Sequence, residues 1–257
     1  MLGAIAGDII GSVHEHTETK TTDFELFVPE SRFTDDTVLA VAVADCLVNG
    51  LDYVDAFHQY FIAYPNAGYG GRFFGWASSG DRDPYNSYGN GSAMRVPAVA
   101  YAFESLDDVL AEAERTAAVT HNHPEGIKGA QATAAAIFMA RRGKTKQQIK
   151  ESVEQMFGYN LSDSLDRLRP VYEFDVTCQG TVPAALIAFL ESTGYEDALR
   201  KAISLGGDAD TLACITGGVA EAYYGGVPPH IAGPACAALD DRLRGVVTAF
   251  RTRYRIA

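Results

Sequence analysis

Apolar residues recur at helical spacing along most of this chain. Between 52 and 64, Tyr53, Phe57, Tyr60, Phe61 and Tyr64 fall at intervals that place them on one side of a helix. The same period predicts helices over 106–119, 124–142, 145–157, 181–191 and 195–205, and a closing amphipathic helix over 240–254. Pro124 suits a first turn, where its missing N–H would have no helical partner anyway. Two further runs, Val38 to Val48 and the small-residue stretch from Leu212 to Tyr224, are apolar almost throughout. Helices of that kind belong in an interior. Alternating patterns are scarce and no hairpin signal sits between two of them, so the pattern predicts an all-α fold.

One segment breaks the helical pattern. Residues 65 to 91 are rich in glycine and aromatics, from Gly68, Tyr69, Gly70 and Gly71 through Phe73, Phe74 and Trp76 to Tyr85, Tyr88 and Gly91. Loops longer than about 12–15 residues in compact domains are usually functional or disordered. The aromatic content argues against disorder, and leaves two expectations for each ring: a lining for a flat ligand, or a plug in the core. The glycines do not match G-x-G-x-x-G and no strand precedes them, so a dinucleotide fold is not supported.

The polar residues that open the two buried runs change the picture. Phe33-Thr34-Asp35-Asp36-Thr37 precedes the first, and Gly206-Gly207-Asp208-Ala209-Asp210-Thr211 precedes the second. For either cluster alone, N-capping is a sufficient account, since Thr or Asp at a helix start satisfies free N–H groups and complements the dipole. Capping needs one short polar side chain, however, not paired carboxylates flanked by threonines. Carboxylates with neutral oxygens are the ligands that hard divalent cations take, and glycines ahead of Asp208 permit close backbone approach. The pair of clusters therefore predicts a two-metal hydrolytic site assembled from both ends of the chain. A helix N-terminus repels a cation but attracts phosphate, so a phosphorylated substrate fits the same place.

Composition narrows the partners. The 257 residues show no linker or charge block, which favours one domain spanning 1–257, and 47% hydrophobic content supports a sizeable core. A formal charge of −12 argues against general nucleic-acid binding and against anionic membranes, although bound metals can reverse the sign locally. Cys46, Cys178, Cys214 and Cys236 form no C-x-x-C pair and read as free thiols. The N-terminal run is apolar but lacks a basic flank and is interrupted by Asp8, which argues against a signal peptide. No run is long enough to span a membrane, and the default expectation is a cytoplasmic protein.

Five motifs in order carry a resemblance to a known family. Gly7-Asp8 with Gly11 and Glu15, then Thr34-Asp35-Asp36-Thr37, Gly89-Asn90-Gly91-Ser92-Ala93-Met94-Arg95, Thr120-His121 and Gly206 to Thr211 resemble the ADP-ribosylglycohydrolases. That family includes dinitrogenase reductase-activating glycohydrolases and ADP-ribosyl-acceptor hydrolases. The likeness extends from the N-terminus to about Gly225. It implies a compact, single-domain orthogonal helical bundle holding two Mg²⁺ or Mn²⁺ ions. The implied ligands are Thr34, Asp35 and Asp36 from the first cluster and Asp208, Asp210 and Thr211 from the second. Glu15 resembles the family's glutamate near the metals and the scissile ribose. Gly89, Asn90, Gly91 and Ser92 resemble the stretch beside the substrate, and His121 the histidine of the ADP-ribose cleft.

The implied activity is hydrolysis of the N- or O-glycosidic bond between ADP-ribose and an acceptor, on a protein side chain or a small molecule. Paired ions orient ribose hydroxyls and acidify a bound water, and Asp36 or Glu15 is placed to move the proton. Adenine would lie against an aromatic such as Tyr69, Phe73 or Tyr88. Around 69–80 the chain departs from the arginine-type enzymes of the family, which leaves the acceptor linkage open. Two alternatives stand beside this: a metal-dependent hydrolase of another phosphorylated ribose or nucleotide, and a protein that binds ADP-ribose without turnover. His121-Asn122-His123 spells an HNH nuclease motif without its ββα context, and the arginines from 242 to 255 read as a solvated helix end.

Overall fold

The computed structural model describes residues 1–256, and among these the chain folds into fifteen helices with no strand. In chain order they are α1 Leu2–Gly11, α2 Asp35–Asn49, α3 Tyr53–Ala63, α4 Gly71–Ser79, α5 Gly91–Met94, α6 Val99–Ala102, α7 Leu106–Ala118 and α8 Pro124–Arg141. The second half comprises α9 Lys146–Phe157, α10 Leu165–Leu168, α11 Cys178–Glu191, α12 Tyr195–Ile203, α13 Ala209–Tyr224, α14 Pro229–Ala238 and α15 Asp241–Arg253. An isolated antiparallel bridge pairs Gly89 with Thr177. The all-α expectation holds, and none of these helices is long and apolar enough to cross a membrane.

Cap residues explain many of the starts. Side chains of Asp52, Ser105, Thr145, Thr177 and Asp240 each accept from the backbone N–H of the third residue of the helix, and Thr145 with Gln148 completes a reciprocal capping box. Thr177 therefore sets the start of α11 at Cys178, three residues before the first residue that the apolar period marks. The predicted 65–91 loop is interrupted by α4, whose buried face consists of Phe73, Trp76 and Ala77. Helix α14 has no period to detect, because only Ile231 and Ala235 are buried and Pro234 lies inside it.

At the centre lies α13, buried continuously from Ala209 to Glu221 and packed by α1, α8, α11 and α12. Helix α1 is buried at every position, so it carries no amphipathic signature, and only the structure reveals it as a core helix. It reaches α13 closely because Gly3, Gly7 and Gly11 form a ladder of bare positions along one face. A Cβ at these sites would stand 2.4 Å from the Gly217 carbonyl oxygen, 2.1 Å from that of Ala213 and 2.5 Å from the Asp210 Cα. The two backbones thus touch without intervening side chains. That contact sets Asp8 on α1 and the first turn of α13 at the same end of the core. The four cysteines are free thiols, as the sequence predicts.

Candidate active site

The first acidic cluster is organised from below by Asp8. Thr34 caps α2, its Oγ1 accepting from the Asp36 N–H at 3.3 Å. Asp8 Oδ1 accepts the Thr34 hydroxyl at 2.7 Å, and Asp8 Oδ2 accepts the backbone N–H groups of Thr34 and Thr37 at 3.0 and 3.1 Å. The Thr37 hydroxyl also donates to Asp8 Oδ2. With its proton committed to Asp8 and one lone pair to Asp36, Thr34 Oγ1 keeps an acceptor site for the cleft that it lines. In the sequence Asp8 shows only as part of the Gly7-Asp8 motif and as a charge interrupting an otherwise apolar run, and neither assigns it this organising role.

The second cluster does not behave as a helix cap. Asp208 occupies the cap position of α13, yet its side chain makes no capping bond. Its Oδ2 instead accepts from Asn90 Nδ2 at 2.7 Å, and the same amide donates to Thr181 Oγ1 at 3.0 Å. The turn before it requires Gly206 and Gly207, both left-handed with φ of 72° and 69°. A Cβ at Gly207 would also stand 2.9 Å from the Glu173 carbonyl oxygen, so this turn lies directly against the 173 segment. Thr211 Oγ1 donates to Asp36 Oδ2 at 3.4 Å, tying the two clusters together.

Oxygens of Glu15, Asp208 and Asp210 lie within 4.8 Å of one another. Asp36 Oδ1 is buried with no hydrogen-bond partner, and Asp36 and Asp210 are nearly inaccessible. Burial pushes the carboxyls of Asp35, Asp36 and Asp210 well above the usual range, and the neighbouring carboxylates push them further. Burial also raises Asp8, and burial with the Asp208 charge raises Glu15. An orphaned buried carboxylate oxygen among mutually repelling acids is the environment that a hard divalent cation relieves. The donor set therefore fits the metal expectation, with Thr34, Asp35, Asp36, Asp208, Asp210 and Thr211 available as oxygen ligands and Glu15 at the edge.

These groups form the floor of a cleft of about 460 Å³, the size of a small-molecule site. Glu15, all six predicted ligands, Gly89, Asn90, Gly91 and His121 line it. Ser92 does not: it is buried, donating to the Gly126 carbonyl at 2.7 Å and facing Cys178 Sγ. Asn90 reaches the site through Asp208. Of the three proposed aromatics, Phe73 lines the cleft, stacked at 5.2 Å on Tyr69 behind it, whereas Tyr69 itself does not reach the cleft and Tyr88 packs on His123 outside it. The exposed apolar wall is Phe174 with Val176, held along the Gly89 segment by the Asn90 N–H to Val176 carbonyl bond of 2.8 Å. Sequence reasoning missed both because nothing local marks 170–177 as anything but a connector.

His121 is buried, with Nδ1 2.7 Å from Thr120 Oγ1. Burial, then the Arg95 and Arg72 charges, holds its pKa well below the usual histidine range, so the ring is neutral. The HNH reading fails on geometry: Asn122 accepts from the Asn86 backbone N–H and His123 caps α8. At the closing helix, Arg242 lies over the Tyr60 ring and Arg244 pairs with Asp241.

The family model for ADP-ribosylglycohydrolase matches residues 1–253. ADP-ribosylhydrolase ARH3 of Bos taurus is 27% identical, over 88% of this chain and 84% of its own length. The Homo sapiens ARH3 is 26% identical, over 88% of this chain and 84% of its own. ADP-ribosylarginine hydrolase Tri1 of Pseudomonas putida is 26% identical, covering 90% and 71%. A solved structure described as an ADP-ribosylglycohydrolase-related protein complex superimposes with a TM-score of 0.67 and 28% identity, over 99% of this chain and 96% of that one.

Proposed function

The chain belongs to the ADP-ribosylglycohydrolase family, and from that membership we propose that it hydrolyses the glycosidic bond joining ADP-ribose to an acceptor, with the help of Mg²⁺ or Mn²⁺. The observation that carries this reading is the orphaned Asp36 Oδ1, in a first acidic cluster that lines the same cleft as Asp208 and Asp210 from the far end of the chain. Thr34, Asp35, Asp36, Asp208, Asp210 and Thr211 would hold two divalent ions. Bound there, the ions supply Lewis acidity that orients ribose hydroxyls and acidifies water.

The remaining work falls to the protein's own groups. Asp8 aims the Thr34 lone pair into the cleft, and Asn90 fixes the Asp208 carboxylate. Glu15 or Asp36 moves the proton, since each is a carboxylate that lines the cleft beside the candidate ligands. Gly89 and Gly91 let a ligand approach backbone beside His121, and Phe174 offers a flat apolar face for adenine. The acceptor leaves past Glu15, toward the groove that runs on to Glu18 and Glu173.

The test is incubation of the protein with arginine-, serine- and nucleic-acid-linked ADP-ribose, with Mg²⁺ or Mn²⁺ and after chelation. Free ADP-ribose released only with metal is the expected result, and Asp35→Asn and Asp208→Asn should each abolish it. Release of AMP or phosphate instead would assign a different hydrolase. Full turnover by both variants in metal-free buffer would remove the two-metal reading.

A further inference from the structure

Arg95 is a fully buried cation with an unusual set of partners. One of its terminal nitrogens donates to the Thr116 carbonyl at 2.6 Å and to Thr120 Oγ1 at 2.9 Å, at the C-terminal end of α7, where the helix dipole favours positive charge. The guanidinium lies 4.5 Å from the Phe57 ring centre, and its Nε and the other terminal nitrogen have no hydrogen-bond partner. Among the described residues no carboxylate pairs with it. Burial draws its pKa down to about 10, which leaves it charged at neutral pH.

The Thr120 hydroxyl has one proton to give. Arginine has no acceptor, so Thr120 Oγ1 must accept from Arg95. Among the hydrogen bonds of the described residues, the one other side chain that this hydroxyl meets is the His121 ring. The threonine proton is then directed at His121 Nδ1, 2.7 Å away. We propose that Arg95 is a positioning residue: through Thr120 it fixes His121 as the neutral tautomer with hydrogen on Nε2, so that the cleft is offered an N–H donor for a ligand oxygen. The Nε2 edge faces Gly89 and Gly91, where an added Cβ would stand 3.5 and 3.2 Å from it, and the absence of side chains there keeps that donor reachable. In the ADP-ribose reading, on which only the identity of the ligand rests, the acceptor is a phosphate or ribose oxygen.

The test combines ¹⁵N spectroscopy of the imidazole nitrogens of the full chain with ADP-ribose binding by calorimetry, the His121 signals being assigned by their loss in His121→Gln. Wild type should show an unprotonated Nδ1 and a protonated Nε2. Thr120→Val keeps the shape and removes the hydroxyl; it should mix the tautomers and weaken ADP-ribose binding by about tenfold, the scale of one lost hydrogen bond. Thr120→Ser should restore both, and Arg95→Met, where it folds, should reproduce the Val result. A protonated Nδ1 in wild type would overturn the proposal. So would a Thr120→Val protein with an unchanged ring pattern, or one with mixed tautomers and full affinity. If wild type binds no ADP-ribose, the reading of the cleft fails, while the ring pattern still decides the part played by Arg95.

Discussion

Replacing Gly7 with alanine probes the contact that joins the two halves of the site. The new Cβ would stand 2.1 Å from the Ala213 carbonyl oxygen, whereas ordinary contact begins at 3.4 Å, so α1 and α13 must part by about 1.3 Å at this level. Helix propensity alone argues for stabilisation by about 0.5–1 kcal/mol. Overpacking against rigid backbone costs about 1–3 kcal/mol, so the net expectation is a loss of about 1–2 kcal/mol. For a chain of this size that lowers the Tm by roughly 2–8 °C. The larger effect is on function, because Asp8 follows Gly7 on α1 while Asp210 sits on α13. An opening on the order of 1 Å between reacting groups costs about 10²-fold in rate. Denaturant unfolding, Mn²⁺ titration and turnover of ADP-ribosylated substrate measure the three consequences. Gly245→Ala is the control: exposed in mid-α15 with nothing near its Cβ position, it should stabilise by about 0.5–1 kcal/mol. A Gly7→Ala protein as stable as wild type, with unchanged Mn²⁺ affinity and turnover, would refute the reasoning.

Asp8→Asn places an amide where the Thr34 hydroxyl now donates, turning the Thr34 proton toward the cleft; calorimetry should show metal affinity falling at least tenfold, with about 1–3 kcal/mol lost from stability as charge-assisted bonds go. The metal-free protein should lose stability as pH rises. Asp35, Asp36 and Asp210 have folded-state pKa values above the ordinary 3.8. The folded chain therefore binds more protons than the unfolded one, and stability present below pH ~4 is lost as pH climbs through the raised values. Thermal unfolding in chelator across pH 5 to 8 checks this; the slope should flatten in Asp210→Asn and on adding Mn²⁺, and a metal-free optimum at pH 8 would contradict it. Phe174→Ala should raise the Kd for ADP-ribose about tenfold or more, given about 1–3 kcal/mol for stacking a base on an aromatic, while leaving Mn²⁺ binding unchanged.

Much of this protein was legible in the chain itself. Caps and the helical period located α3, α7, α8, α9, α12 and α15 to within a residue or two, because those signals lie among neighbouring residues. The two acidic helix starts stood out for the same reason, carrying too many carboxylates for a cap, and the structure brings them to one cleft. What the sequence could not express was contact. Helix α1 has no polar face and so no period, yet its glycine ladder decides how closely α1 meets α13 and where Asp8 stands. Asp208 stands beside Asp210 in sequence, but the group that holds its carboxylate is Asn90, more than a hundred residues earlier. Ser92 resembles a binding residue in sequence, but its burial turns it toward Gly126, and nothing in sequence marks Phe174, which the Gly89–Thr177 bridge brings to the cleft wall. Residue types and local spacing determine which chemistry a segment can offer. Close packing between segments distant in sequence determines which of those offers face one another, and here that was decided where α1, α2 and α13 meet.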